Sequence, residues 1–502
     1  MDWLKLKSGS DVRGVAVGDS AVITPDLAMA LGMAFVEMLS ERKNKPQNQI
    51  VVAIGRDSRI SGPELLCAAA EGISSKGATV LDFGMCTTPA MYMSIITPGF
   101  CPDGSIMITA SHHPWDRNGL KFFTEQGGIE SRDVEWLLSK AQHMERHNTI
   151  EDGRIIHRAF LPVYSEQLAD RIRNGLNTNK AKPLSGLHVV VDAGNGAGGF
   201  YAELLEKLGA NTKGSQFLDP DGMFPNHIPN PENPDAIASL RQAVMASEAD
   251  LGVIFDTDCD RAAIVDSDGK EINRNRLIAL ISAILLEQKK GITVVTDSVT
   301  SSGLKAFICK RGGEHYRYKR GYRNVIDEAI RLNETGIDCP LAIETSGHAA
   351  LKENHFLDDG MYLVTVLIVK AMQMKEKGET LGSLISELKE PVDSAELRLT
   401  ILDDDFRSKG EEAIQKVLKF AEQHQEWHIA PDNREGIRIS FDLDGVKDSG
   451  WLLLRLSVHD PVLPLNVECD VQGGVKILLK SLYEVLKDTK GIDFSSIKEV
   501  LE

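Results

Sequence analysis

The sequence predicts a multidomain α/β protein, with three similar α/β units followed by a C-terminal α+β unit built on an antiparallel sheet. The chain has 502 residues, more than a single hydrophobic core usually organises. Over its first three quarters, short apolar runs alternate with amphipathic stretches, as strands and helices do in α/β units. Strand-like runs then crowd together near the end with few helices between them, as in an antiparallel sheet.

The first unit, residues 1–180, reads as a strand at 49–54, a helix at 62–76, and strands at 78–83 and 104–110. A charged helical stretch from about 131 to 174 and a polar bridge at 175–183 complete it. The second unit, 181–290, opens with a strand at 187–191 and a helix near 200–208, and carries a later strand at 251–255. The third, 291–392, has strands at 293–295 and 341–343. The fourth, 393–502, has strand-like runs at 396–401, 436–441, 451–456 and 463–468, with long helices near 405–424 and 474–487. Each assignment rests on apolar period: alternation or a short apolar run for strands, a 3.6-residue repeat for helices.

Composition limits the function classes. An apolar fraction of 42% and a charged fraction of 26% are those of an ordinary globular protein. A net charge of −17 argues against a nucleic-acid or anionic-membrane partner, which both need clustered Lys and Arg. An anionic small substrate remains compatible, because a pocket can be locally basic. The seven cysteines include no CxxC pair, so neither a zinc site nor a disulfide framework is expected, and reduced thiols fit a cytosol-like compartment. No apolar run approaches the ~20 residues of a membrane span, and the start lacks the apolar segment of a secretory signal. A cytoplasmic location is expected, or an organelle stroma if a transit peptide has been removed. Monomer and homodimer both stay open.

Two runs carry chemistry. Ser111 follows the apolar run Ser105-Ile106-Met107-Ile108, at a strand end where α/β sheets present functional loops. Asp256-Thr257-Asp258-Cys259-Asp260-Arg261 also sits at a strand end. Carboxylates at alternating positions repel one another unless a cation lies among them. The all-oxygen donor set suits a hard divalent ion, Mg²⁺ first. An EF-hand loop begins with the same spacing, but here its sixth position is Arg261 instead of Gly and its twelfth is Ser267 instead of Glu. A cation beside a serine, with Arg261 at hand, offsets phosphate charge during phosphoryl transfer.

With these runs in place the sequence resembles the α-D-phosphohexomutase family of phosphoglucomutases and phosphomannomutases, over nearly the whole chain. Ser8-Gly9-Ser10-Asp11-Val12-Arg13-Gly14 resembles the family's opening loop, and Thr109-Ala110-Ser111-His112-His113-Pro114 its phosphoserine loop. Asn118-Gly119-Leu120-Lys121 resembles the element with a proposed acid/base lysine, and Glu344-Thr345-Ser346-Gly347-His348 the sugar-recognition loop. The resemblance implies four domains around one cleft and an intramolecular phosphotransferase that interconverts hexose 1-phosphate and hexose 6-phosphate. It would work through phospho-Ser111 and a hexose 1,6-bisphosphate, which serves as intermediate and activator. It assigns Ser111, Arg13, Lys121 and His112 to catalysis. Ser111, Asp256, Asp258 and Asp260 are assigned to Mg²⁺. Arg261, Glu344, Ser346, His348, Arg455, Ser457 and His459 are assigned to the phosphosugar. Lys121 acts either as an acid/base, which needs a pKa lowered by cations such as Arg13, or as a phosphate ligand.

One motif points elsewhere and one departs from the family. Gly194-Asn195-Gly196-Ala197-Gly198-Gly199, with Asp219 further on, fits a dinucleotide fingerprint. The same run also resembles the family's second-domain opening, and the other motifs have no place in a dehydrogenase. Near the C-terminus, members usually carry R-P-S-G-T-E-P-x-x-R. This chain has Arg455-Leu456-Ser457-Val458-His459-Asp460-Pro461-Val462-Leu463-Pro464. Val458 stands for the loop glycine and Pro464 for the second arginine, so a bidentate phosphate clamp is missing; His459 could compensate as a partly charged donor. Two readings follow: a working mutase with a remodelled phosphate site, or a phosphosugar-binding or regulatory relative with weak turnover. Arg13, Ser111, Lys121 and the three aspartates favour the mutase, because a non-catalytic relative has no need of a costly acidic cluster.

Overall fold

The computed structural model describes residues 2–144, 153–457 and 460–502. The chain divides into two compact units, one of residues 1–273 and 346–383 and one of residues 274–345 and 384–502.

The first unit holds the N-terminal sheet, ordered Lys7–Ser8, Asp11–Val15, Arg117–Thr124, Gly104–Ile108, Val51–Arg56, Thr79–Met85 and Ile155–His157, with Gly127–Gly128 at its side. Strands Val51–Arg56, Thr79–Met85 and Gly104–Ile108 are parallel and none of their residues is exposed, as expected where helices cover a parallel sheet. Helices Pro25–Lys43, Gly62–Ser75 and Ser131–Ala141 supply that cover, burying Leu31, Phe35, Leu65, Ile73 and Leu137 against Val52, Ile54 and Ile106. A second sheet of this unit runs Glu271–Ile272, Ala262–Asp266, Leu251–Phe255 and Val189–Asp192. Strand Leu251–Phe255 is parallel to Val189–Asp192 and antiparallel to Ala262–Asp266.

The expected charged helix over 131–174 is corrected. The described part contains two helices, Ser131–Ala141 and Leu161–Gly175, and between them an edge strand, Ile155–His157, parallel to Thr79–Met85. All three strand residues are exposed, so main-chain pairing makes this strand, and apolar period had nothing to register.

In the second unit, strands Glu314–Arg317, Thr293–Thr296 and Leu341–Ile343 are parallel. The last 110 residues form the expected antiparallel sheet, ordered Asp393–Thr400, Val462–Cys469, Val446–Leu454, Ile437–Leu443 and His428–Ile429. Its inner face, with Leu399, Leu452, Leu454, Leu463, Leu465 and Val467, packs on helices Phe406–Gln423 and Gly474–Leu486. Among the described residues, no helix is long and apolar enough to cross a membrane, and all seven cysteines are free.

Candidate active site

Pairing register brings the N-terminal cations together. Arg13 lies opposite Gly119 on antiparallel strands Asp11–Val15 and Arg117–Thr124. Residues two apart on a strand share a face, so Arg13 and Lys121 project from the same side of the sheet. Ser111 follows the neighbouring strand Gly104–Ile108, whose Ile108 pairs with Leu120.

The acidic run is the six-residue loop of a hairpin, closed by the pair Phe255–Ala262. Cys259 turns through a left-handed φ of 66°, and the three carboxylates collect at the hairpin tip. Oxygens of Asp256, Asp258 and Asp260 all lie within 4.8 Å of one another, and all three residues are buried. Ser111 Oγ donates to Asp256 Oδ2 at 3.0 Å. Burial and the like charges of Asp260 and Asp258 push the Asp256 carboxyl well above its ordinary range, an electrostatic cost that a bound cation removes. Among the described residues, the buried Asp258 Oδ1 and Asp260 Oδ1 have no hydrogen-bonding partner. Orphaned oxygens with no nitrogen or sulfur donor among them fit a hard divalent cation.

Charged side chains frame this cluster. Arg261 Nε reaches Asp256 Oδ2 at 3.2 Å, Nη1 lies 3.6 Å from Glu232, and its buried Nη2 has no hydrogen-bond partner among the described residues. Arg13 pairs with Asp11 at 2.6 Å. Lys121 Nζ lies 2.5 Å from Asp260 Oδ2 and 3.3 Å from Asp258 Oδ2. Burial pushes the ammonium down, but Asp258, Asp260 and Asp11 outweigh it and hold Lys121 well above its ordinary value, the direction opposite to the lowering that the acid/base alternative needs. Burial, then the charges of Arg261, His113 and Arg13, lower His112 to about 2, so it is a neutral imidazole with Nδ1 3.2 Å from Ser111 Oγ. His348 hydrogen-bonds Asp358 through Nδ1 and lies 3.9 Å from Asp260. Burial works against its charge, yet Asp358 and Asp260 raise it to about 9.

The first unit thus assembles Arg13, Ser111, His112, Lys121, the three aspartates, Arg261 and His348, and it also contains Ser346. Glu344, Arg455 and Ser457 belong to the second unit. Glu344 is buried at the end of strand Leu341–Ile343, its Oε1 accepting from Gly321 N at 2.6 Å. Ser457 Oγ accepts from Asp460 N at 3.2 Å in the turn after Arg455. His459 and Val458 lie outside the described residues.

Several residues escaped sequence reading. Thr88, at the start of helix Thr88–Ile96, donates through Oγ1 to Asp258 Oδ2 at 2.5 Å. Asp358 orients His348, and its only sequence signal was the acidic pair Asp358-Asp359. Arg398 stands across from Pro464 on strand Asp393–Thr400, while Arg455 N donates to Pro464 O from the other side. Directly opposed residues share a sheet face, so guanidinium side chains flank the proline that replaces an arginine.

The dinucleotide-like glycines are filled by protein. A Cβ on Gly196 would lie 2.7 Å from Thr257 O, and one on Gly199 would lie 2.1 Å from Leu218 O. Asn195 Nδ2 donates to Asp219 O at 2.9 Å. The run packs against the aspartate hairpin and the loop at Leu218, so its close backbone approaches are taken up by protein.

Comparison with known proteins agrees with this geometry. Models of phosphoglucomutase/phosphomannomutase alpha/beta/alpha domains I, II and III match residues 5–146, 163–269 and 273–392. Phosphomannomutase/phosphoglucomutase of Pseudomonas aeruginosa is 31% identical over 466 residues, 92% of this chain and 91% of the relative. Phosphoglucomutase of Neisseria gonorrhoeae is 28% identical over 467 residues, 93% of each chain. The crystal structure of a phosphoglucomutase/phosphomannomutase family protein from Burkholderia thailandensis superposes with a TM-score of 0.79 at 27% identity, covering 98% of both chains. A serine held on an acidic hairpin, three domains matched in order and relatives matched over nine-tenths of their length agree: the chain belongs to the phosphoglucomutase/phosphomannomutase family and is a phosphohexomutase.

Proposed function

We propose that the protein interconverts hexose 1-phosphate and hexose 6-phosphate with Ser111 as the carrier of the transferable phosphate. The observation that carries this reading is the 3.0 Å approach of Ser111 Oγ to Asp256 within a buried three-aspartate cluster. Asp256, Asp258 and Asp260, with an oxygen of Ser111, would hold Mg²⁺, which neutralises charge on the transferring phosphoryl group.

The chain's own groups account for the rest. A phosphoryl group on Ser111 passes to the free hydroxyl of the bound hexose phosphate: the Oγ–P bond breaks and a P–O bond to the sugar forms. The sugar hydroxyl gives up its proton and Ser111 Oγ, released as the Oγ–P bond breaks, takes one up, so no net proton is left in the site. The bisphosphate then turns over: the bond between the sugar and its original phosphate breaks as that phosphoryl group passes to Ser111 Oγ, the serine hydroxyl gives up its proton and the freed sugar oxygen takes one up, which closes the cycle. Lys121, kept charged by Asp258 and Asp260, serves as a cation against phosphate oxygens, with Arg13 and Arg261 beside it. Neutral His112 orients the serine hydroxyl. Glu344 and Ser346 recognise sugar hydroxyls, and Arg455, with Ser457, takes the phosphate that is not being transferred. The free thiols fit a reducing, cytosol-like compartment.

The reading with weak turnover is not favoured, since the relatives matched over nine-tenths of the chain are mutases. The direct test supplies glucose 1-phosphate, catalytic glucose 1,6-bisphosphate and Mg²⁺ and follows glucose 6-phosphate. Formation of product is the expected result. Binding without turnover on glucose, mannose and glucosamine phosphates would overturn the proposal.

A further inference from the structure

Behind the Ser111 loop lies a charged pair that the mechanism above does not use. Asp57 and Arg59 follow strand Val51–Arg56 and are both fully buried. The Arg59 guanidinium donates to four main-chain carbonyls of one turn: Nη2 to Ser111 O at 2.5 Å and His113 O at 2.6 Å, Nη1 to Pro114 O at 2.6 Å and Arg117 O at 2.9 Å. Its Nε lies 3.2 Å from Asp57 Oδ2, and the Phe224 ring centroid is 5.2 Å from the guanidinium carbon. Asp57 completes the frame from the other side. Its Oδ2 accepts from Thr109 Oγ1 at 2.7 Å, and Thr109 Oγ1 accepts from Ser111 N at 2.9 Å. Both main-chain polar groups of Ser111 are therefore tied to one Asp57–Arg59 pair.

Ser111 needs such a frame. Its φ is 52°, a left-handed conformation that a residue with a Cβ leaves unless its surroundings over-determine it. Relaxation to an ordinary φ would swing Oγ away from Asp256. A lysine could not replace the arginine, because a single ammonium presents three donors from one point, whereas the planar fork reaches carbonyls along two directions.

We propose that Arg59 is a positioning residue for phosphoryl transfer: its fork gathers the 111–117 turn and fixes Ser111 Oγ on the acidic cluster. The inference rests on the reading of Ser111 as the phosphate carrier. Arg59 touches neither sugar nor phosphate, so its loss acts on the rate of transfer and leaves substrate affinity nearly untouched. A displacement of ~1 Å at the reacting atom costs on the order of 100-fold in rate.

The test compares wild type, Arg59→Lys and Arg59→Ala at a temperature where circular dichroism shows each variant folded. Phosphate uptake on Ser111 from glucose 1,6-bisphosphate is measured first in the wild type by intact mass and peptide mapping. No uptake there would sink the reading of Ser111, and this inference with it, before any variant is compared. With wild-type uptake in place, Arg59→Lys is expected to lose on the order of 100-fold in kcat with KM within about 3-fold of wild type. Added methylguanidinium is expected to restore part of the kcat of Arg59→Ala. Wild-type kcat in Arg59→Lys, or a folded Arg59→Ala that methylguanidinium does not rescue, would overturn the inference while leaving the role of Ser111 standing.

Discussion

Lys121 Nζ sits 2.5 Å from Asp260 Oδ2, a buried pair joining the first sheet to the tip of the aspartate hairpin. Removing the cation leaves Asp260 uncompensated in an acidic cluster, and a broken buried pair typically costs about 3–5 kcal/mol. Lys121→Met is expected to lower stability by an amount within that range and kcat by on the order of 100-fold. Thermal unfolding and steady-state kinetics measure the two effects, and a folded Lys121→Met with wild-type kcat contradicts the role given to the lysine.

Thr88 binds Asp258 from outside the carboxylate cluster. Loss of a group that orients a metal ligand typically weakens metal binding by about 10–100-fold. Thr88→Val should therefore raise the Mg²⁺ concentration for half-maximal activity by at least about 10-fold, with activity recovering at saturating Mg²⁺. An unchanged Mg²⁺ titration would remove Thr88 from the site.

Arg398 and Arg455 flank Pro464 on one sheet face of the second unit. If Arg398 supplies the arginine that Pro464 displaced, Arg398→Ala raises KM for hexose phosphate by about 3- to 10-fold, the worth of one partly exposed charge-assisted contact. Pro464→Arg should lower KM. Values that stay put in both variants would assign that phosphate to other groups.

A buried ion pair sets a pH dependence away from the acidic cluster. His227 Nε2 lies 3.0 Å from Asp192 Oδ1 and Oδ2, and its Nδ1 faces Ile228 O at 2.9 Å. Burial pushes the imidazole pKa down, but the Asp192 carboxylate, together with the Ile228 carbonyl, outweighs it and leaves His227 raised above 6.5. A raised folded-state pKa contributes stability that is complete below 6.5 and lost as pH rises through the folded value. The melting temperature of wild type should exceed that of His227→Asn most at acidic pH, with the gap closing above neutrality. A gap that widens with pH would contradict the pairing.

The sequence made some of this legible and hid the rest for physical reasons. Runs such as 251–255 and 341–343 become strands at those very residues, because a short apolar stretch ending in a polar loop has few alternatives inside a sheet. The aspartate hairpin announced itself because unpaired like charges are costly. Strand Ile155–His157 did not, since its stability lies in main-chain pairing with Val80, Leu81 and Asp82. Arg59, Thr88 and Arg398 stayed hidden for a related reason. Each acts on a partner at least 52 residues away, and nothing local marks a side chain whose role is set by register or by a carbonyl across the fold. The glycine run carried two readings because a tight hairpin packing and a nucleotide cradle both exclude Cβ atoms, and in the fold the neighbouring Thr257 and Leu218 backbone occupies that space.

The central claim is that Ser111 carries the phosphate. Wild type and Ser111→Ala are incubated with glucose 1,6-bisphosphate and Mg²⁺, and bound phosphate is located by intact mass and peptide mapping. One phosphoryl group on Ser111 in the wild type, with none on folded, inactive Ser111→Ala, is the predicted result. Phosphate on another residue, or wild-type turnover in Ser111→Ala, would contradict the account.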